Sequence, residues 1–340
     1  MLGDDLRQRL DAMPDSAAKV DLINRLGMEQ REHDPRAAVQ LCDMAIVLSR
    51  RLPYPGGLAR ALRAKGASLL LVAEFEPALR DTAEALAIFE RLGDAPNALK
   101  TVNIIGNLHR RMGDYAAAAA RYRAVLSQSR AEGDRLMEAS ACNNLGNVSH
   151  SLGDEEQAAR FYQQGLALFR ELGETRYATM TLINLAGIHR TRGDYPRALD
   201  CCQQALSVFP EYGDRLGEAA AWFDMGLTYR DMGDPERAAE VWQRSIEIAR
   251  EVGDIETEMS ALVNTAQSLN QRHLAVAALE VLDLAALIAD RIKDLTVLAS
   301  YQEEYAAAYE QLGDATEAEA HRRLCLDQRR AIARQQSLGG

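Results

Sequence analysis

The chain has little of what marks a loop-rich, disulfide-stapled, membrane-spanning or nucleic-acid-binding protein. Nine prolines and 23 glycines among 340 residues are too few for an all-β or loop-dominated chain. The five cysteines are odd in number and scattered, which fits a reducing compartment and predicts a cytoplasmic location. No run approaches 18 uninterrupted apolar residues, so no membrane insertion is expected. The opening MLGDDLRQRLDAMPDSAAKV has no apolar core of the kind a secretory leader needs. Positive charge is also short: 39 Lys and Arg face 50 Asp and Glu, a formal charge of −11 that argues against nucleic-acid partners.

Catalytic signatures are missing as well. The chain holds no P-loop, no G-x-G-x-x-G, no H-E-x-x-H and no G-x-S-x-G. The six histidines, His33, His109, His150, His189, His273 and His321, have no carboxylate at ligand spacing. The neighbours Cys201 and Cys202 point to different sides of a helix and make no redox or zinc motif. No catalytic residue, metal or cofactor is therefore expected, and the chain reads as a non-enzyme.

What is present is a repeat. Charged residues make up 26% and hydrophobic ones 47%, the balance of a folded soluble protein. Gly-Asp recurs every 20 residues, at Gly93-Asp94, Gly113-Asp114, Gly133-Asp134, Gly153-Asp154, Gly193-Asp194, Gly213-Asp214, Gly233-Asp234, Gly253-Asp254 and Gly313-Asp314. Gly ends one helix in the left-handed conformation, and Asp caps the next. Each unit is thus a helix of roughly 15–17 residues and a tight turn. Asp154…Gln157 and Asp314…Glu317 resemble capping boxes. Pro35, Pro196 and Pro235 fall in first turns, where a missing N–H costs little.

Alternate units differ, so the period is 40. It gives eight repeats, 14–53, 54–93, 94–133, 134–173, 174–213, 214–253, 254–293 and 294–333, as one solenoid domain between a cap segment 1–13 and a tail 334–340. One column is always alanine, from Ala38 through Ala158 to Ala318. A second is small in seven of eight repeats, including Gly66, Gly106, Gly146 and Gly226. Small residues at facing positions let antiparallel helices approach closely. Tyr122, Tyr162 and Trp242 are expected to fill the space beside them.

Asn144-Leu145-Gly146, Gly153-Asp154, Ala158 and Tyr162 together resemble the tetratricopeptide repeat, in a 40-residue form. The early aromatic of the first helix is replaced by Val102, Cys142 and Leu182, and Pro210 alone occupies the usual end-of-repeat proline site. The pattern is similar to kinesin light chains and, at Asp34-Pro35…Arg50-Arg51-Leu52, to bacterial sensor modules. The latter precede an output domain, which is not expected in the seven residues after the last repeat. The resemblance implies an all-α fold: an α-solenoid of eight antiparallel helix pairs in a right-handed superhelix, with first helices lining a concave groove.

Helical spacing then sorts the first helices. Cys142, Leu145, Gly146 and Ser149 face the second helix, while Asn143, Asn144, Asn147 and His150 turn toward the groove. The same offsets select Arg63, then Lys100, Asn103, Asn107, Arg110 and Arg111, then Asn184 and Arg190, then Asp224 and Arg230, then Asn264. Asparagine is a modest helix former, so its concentration here needs a reason. It offers a donor and an acceptor to an extended peptide backbone, as similar positions do in the family. The alternative is bonding between adjacent helices that stiffens the stack. Repeats 2–5 carry basic groove positions, which predicts an acidic or C-terminal segment as ligand. Repeats 7 and 8 carry acidic ones.

Repeat 7 departs from the pattern. His273-Leu274 replaces its turn, and Leu274 to Ala289 is apolar on most sides, so burial is expected and self-association is the alternative. Repeat 2 also lacks the turn, and Leu69 to Val72 reads as an extension of its first helix. Tyr301, Tyr305 and Tyr309 form a core stripe. The last helix, with Arg322, Arg323, Arg329, Arg330 and Arg334, reads as a polar cap, or as a second route to homo-oligomers. The expected function is a peptide- or protein-binding scaffold. The alternative is a ligand-sensing regulator that changes shape and signals to a separate output protein.

Overall fold

The computed structural model describes residues 12–31 and 33–338, together with Gln8 and Leu10. Among the described residues sixteen α-helices follow one another in eight pairs. The first four pairs are α1 (Ala17–Gln30) and α2 (Pro35–Arg51), α3 (Pro55–Leu71) and α4 (Phe75–Leu92), α5 (Ala95–Arg111) and α6 (Tyr115–Glu132), and α7 (Arg135–Ser151) and α8 (Glu155–Glu171). The second four are α9 (Thr175–Thr191) and α10 (Tyr195–Val208), α11 (Arg215–Asp231) and α12 (Pro235–Val252), α13 (Ile255–Gln271) and α14 (Ala275–Ala289), and α15 (Leu295–Gln311) and α16 (Ala315–Leu338). The chain divides into two compact units, one ending at Leu172 and one beginning at Gly173. The division falls between the fourth and fifth pairs. Most of segment 1–13 lies outside the described residues, but Leu10 is buried against Val20, Ile23 and Leu41.

The Gly-Asp turns behave as their chemistry dictates. Gly93, for example, takes φ 69°, and the Asp94 carboxylate accepts from the N–H of Asn97. The Asp94 N–H closes back on the Phe89 carbonyl at 2.9 Å. That closure explains why the two capping boxes form on one side only. The N–H groups of Asp154 and Asp314 are already committed to Ser149 and Tyr309, so the side chain of Gln157 turns to the Asp154 carboxylate instead. Repeat 2 keeps its turn without glycine. Helix α3 stops at Leu71 like the other first helices, and Ala73 takes φ 61°, so the expected extension is absent. His273 does the same at φ 58°. A side chain in this region costs about 1–2 kcal/mol, which the flanking packed helices offset.

All eight alanines of the invariant column are fully buried. In repeat 4 a Cβ on Gly146 would stand 2.6 Å from the Tyr162 ring. Gly106 is covered in the same way by Tyr122 and Gly226 by Trp242. The glycines are therefore the sockets into which large second-helix rings seat. Within each unit every helix packs on the next, and successive first helices also pack on one another. The second helices have no comparable mutual packing. First helices thus line the tighter, inner side of each unit.

Candidate functional site

In the first unit the groove-facing positions of α3, α5 and α7 come together as a ladder. Arg63 donates to the Asn97 amide oxygen at 2.5 Å, and its guanidinium lies over the Phe89 ring. Burial lowers the Arg63 pKa. Asn144 donates to Asn103 across α7 and α5 at 2.9 Å. The Tyr122 hydroxyl donates to the Asn107 oxygen at 2.6 Å, and the Tyr162 hydroxyl to the Asn147 oxygen at 2.7 Å. Burial pushes the Tyr122 hydroxyl up to about 12 and the Tyr162 hydroxyl higher still, so both remain protonated donors. Each tyrosine fixes one asparagine amide by its oxygen, which leaves the NH2 group to donate elsewhere.

Arg110 is half-buried between these tyrosines, and its Nε has no hydrogen-bond partner. Lys100 and Arg111 are exposed. None of Lys100, Arg110 and Arg111 forms an ion pair with a described carboxylate. Asn143 is half-buried beside them, and His150 lies against Glu155 at 3.0 Å. The ladder thus combines fixed amide groups with three uncompensated cations. Tyr122 and Tyr162 were legible only as packing residues, because their hydroxyls reach the groove over a distance set by helix separation.

The second unit treats the same positions differently. Arg190 donates to Asp231 at 2.6 Å, and Arg230 bonds Asp231 at 2.9–3.0 Å. Arg230 also donates to Asn264 at 2.7 Å, and Asn264 bonds the Ser260 carbonyl. The two arginines hold the Asp231 carboxyl below its ordinary range despite its partial burial, which opposes them. Asn184 is half-buried on α9. Asp224 is half-buried on α11 without an ion pair among the described residues, and desolvation raises its carboxyl to about 6 against the pull of Arg190. Farther on, Asn270 donates to the buried Glu304, whose pKa burial also raises.

Asp231 escaped the residue sorting, although a signal exists. Bonds between neighbouring first helices join residues 34 apart (Arg63–Asn97, Arg230–Asn264, Asn270–Glu304) or 41 apart (Asn103–Asn144, Arg190–Asp231). A search at one repeat plus one residue finds Asp231. These bonds also show that part of the amide and arginine set does stiffen the stack. Basic charge is consumed elsewhere too: Lys65 pairs with Asp43 and Asp81, and Arg60 with Asp21.

Other features settle into packing. His109 and His189 reach the cap carboxylates Asp114 and Asp194. Cys201 and Cys202 are both buried. Among the described residues no group of three His, Cys, Asp or Glu is placed to hold a metal ion, and no helix is long and apolar enough to cross a membrane. Tyr301 and Tyr305 are core residues, and Tyr305 stacks on His321 and donates to Asp283. On α16, Arg322 pairs with Glu310, Arg323 with Glu319, Arg329 with Glu303 and Arg330 with Asp327. The expected burial of α14 is only partial: Ala275, Ala278, Leu282 and Ala285 are inside, while Val276, Leu284 and Leu287 remain exposed. Stacking covers the two sides that face α13 and α15, and among the described residues no element packs on the outer side.

Residues 94–171 and 177–251 match the tetratricopeptide repeat family model. Those two segments are tetratricopeptide repeats, and the described chain around them is an α-solenoid of helix pairs. Among solved structures it is similar to the apo form of RapI, with 14% identity over 93% of this chain and 98% of that one, at a TM-score of 0.64. A signal transduction ATPase with numerous domains from Pyrococcus horikoshii, which carries a tetratricopeptide repeat sensor, is similar at 15% identity. There the likeness covers 93% of this chain and 49% of that one, with a TM-score of 0.69. A Rap protein complexed with competence and sporulation factor is 13% identical over 95% of this chain and all of that one, at 0.57. At these identities the likeness is one of fold. No curated protein matches the chain.

Proposed function

We propose that this protein is a non-catalytic scaffold that binds a protein or peptide segment along the first helices of its first unit. Asn103, Asn107, Asn144 and Asn147 would meet the ligand backbone, and Lys100, Arg110 and Arg111 its carboxylates. One observation carries the reading: three groove cations stand without an acidic partner beside amides already oriented by Tyr122 and Tyr162. Charge-assisted bonds to a carboxylate are roughly twice as strong as neutral ones. Five free, buried cysteines fit a cytoplasmic setting. Affinity capture from native lysate tests the proposal. Partners retained by wild type should be lost by Arg110→Glu with Arg111→Glu. Equal retention by both would overturn the groove assignment.

A second reading draws on the fold likeness to a Rap protein in complex with a signalling factor and to a sensor segment. In it the chain is a bacterial signalling regulator, and ligand binding changes the superhelix to act on a separate output protein. A ligand-dependent change in small-angle scattering distinguishes it from a rigid scaffold.

A further inference from the structure

The bonds that tie the first helices of the second unit follow a pattern, and Arg190 departs from it. Arg230, in the last turn of α11, donates to Asn264, 34 residues on, at 2.7 Å. One repeat later Asn270 donates to Glu304, again 34 residues on, at 2.9 Å. Arg190 holds the same place in its repeat, and the corresponding acceptor is Asp224. Its Nη1 goes instead to Asp231, 41 residues on, at 2.6 Å. Asp231 already accepts from Arg230 at 2.9 and 3.0 Å. One carboxylate therefore holds two arginines, while Asp224 has no ion pair among the described residues. The groups that face Asp224 are few. They are Arg190 from α9, Arg230 and Asp231 about two turns farther along α11, and Cys202 from α10, a buried thiol whose pKa burial pushes up. Desolvation outweighs the pull of Arg190 on Asp224. The Arg190 Nε is likewise buried without a hydrogen-bond partner.

Both reaches are realised within the unit: the shorter by Arg230 on Asn264, the longer by Arg190 on Asp231. The two carboxylates stand seven residues apart on α11, about 10 Å along the helix. Moving Arg190 to Asp224 gives each carboxylate one arginine, since Asp231 keeps Arg230. It also gives a partner to a desolvated charge, the costlier one to leave alone. Burying the guanidinium beside Asp224 has its own desolvation cost, which opposes that gain and keeps the two arrangements close in energy. We infer that Arg190 is a two-position latch between α9 and α11, resting on Asp231 and passing to Asp224 when Asp231 no longer holds it. On Asp231 it ties the last turn of α9 to the last turn of α11. On Asp224 it ties that turn to the middle of α11, the way α11 is tied to α13. The exchange keeps the charge of the unit and moves the tie by about two helical turns. It stands on the second unit alone and is independent of the groove reading.

The test compares thermal melts of the full chain at about pH 7.5, above the range in which Asp224 titrates. The forms are wild type, Asp224→Asn, Asp231→Asn and the two substitutions together. With Arg190 resting on Asp231, Asp224→Asn removes an unpaired carboxylate and should raise the melting temperature by about 2–4 °C. In the Asp231→Asn background Arg190 sits on Asp224, so adding Asp224→Asn should lower the melting temperature by a similar amount. The reversal of sign should vanish when Arg190→Gln is present in both backgrounds. A ¹³C NMR titration of the aspartate carboxyls gives a second readout. The Asp224 signal, near 6 in wild type, should fall below the ordinary aspartate value of about 3.9 in Asp231→Asn. Additive melting shifts, or an Asp224 titration unmoved by Asp231→Asn, would overturn the latch.

Discussion

Arg110 in the first unit and Arg190 in the second occupy the same place in the 40-residue repeat, yet their surroundings differ. Forty-one residues after Arg190 stands Asp231, which takes both Arg190 and Arg230. Forty-one residues after Arg110 stands Ser151, whose hydroxyl is spent on the Asn147 carbonyl. One arginine is thereby built into the stack, while the other keeps its charge uncompensated. A residue column in a repeat protein therefore specifies position, and the neighbouring repeat decides the role. The same contrast separates the amides: Asn107 and Asn147 are steered by tyrosines, whereas Asn264 is tied between Arg230 and its own helix.

Charge substitutions should separate the two units most strongly. Arg110→Glu with Arg111→Glu should reduce affinity for an acidic ligand by about 2–5 kcal/mol, measured by titration calorimetry. Arg190→Glu should leave that affinity nearly unchanged and act on stability instead. Next, Ser151→Asp should import the second unit's arrangement into the first. Arg110 would gain a partner, and ligand affinity should fall by about 1–2 kcal/mol, with no loss in melting temperature.

The reverse change, Asp231→Ser, should destabilise the second unit by about 1 kcal/mol, a value reduced because both partners are partly solvated. The bridge also has a pH signature. Asp231 has a depressed folded pKa, so its contribution is present above the ordinary carboxylate range and is lost as pH falls through the folded value. Asp224 behaves oppositely. Its folded pKa is raised to about 6, so the unfolded chain ionises first and stability declines as pH rises from near 4 to 6. Urea unfolding should show Asp224→Asn to be stabilising at pH 7.5 and close to neutral at pH 4.5. A variant equally neutral at both would remove Asp224 from the electrostatic account.

Smaller effects sharpen the picture. Tyr122→Phe should weaken ligand binding by about 1 kcal/mol through the loss of one oriented amide, an effect with no counterpart in the second unit. Ala73→Gly should stabilise the chain by about 0.5–1 kcal/mol, since a left-handed turn without a glycine is relieved. Thermal melts that move the other way would show that the Ala73 methyl contributes packing that outweighs its strain.

Most of the fold was legible because its signals are local and repeated. Gly153-Asp154 encodes a turn from backbone conformation and one carboxylate, and Gly146 against Tyr162 encodes a helix contact from volume alone. The candidate site was only half legible. Spacing placed Asn103, Asn144 and Arg190 on one helix face, but it could not say what each would meet. Asn103 and Asn144 meet one another, and Arg190 meets Asp231. The apolar content of Leu274 to Ala289 suggested burial, since composition does not reveal that among the described residues α14 has neighbours on two sides only.

The chain by itself determined the helix boundaries outside repeat 2, the 40-residue period, the buried alanine column and the glycine sockets. These follow from capping, periodicity and side-chain size within or between adjacent helices. Tertiary structure alone decided which charges remain available. Pairing across first helices depends on a separation of a few ångströms and on the residue one repeat away. Two arginines of equal sequence standing therefore end as a groove cation in one unit and a structural link in the other.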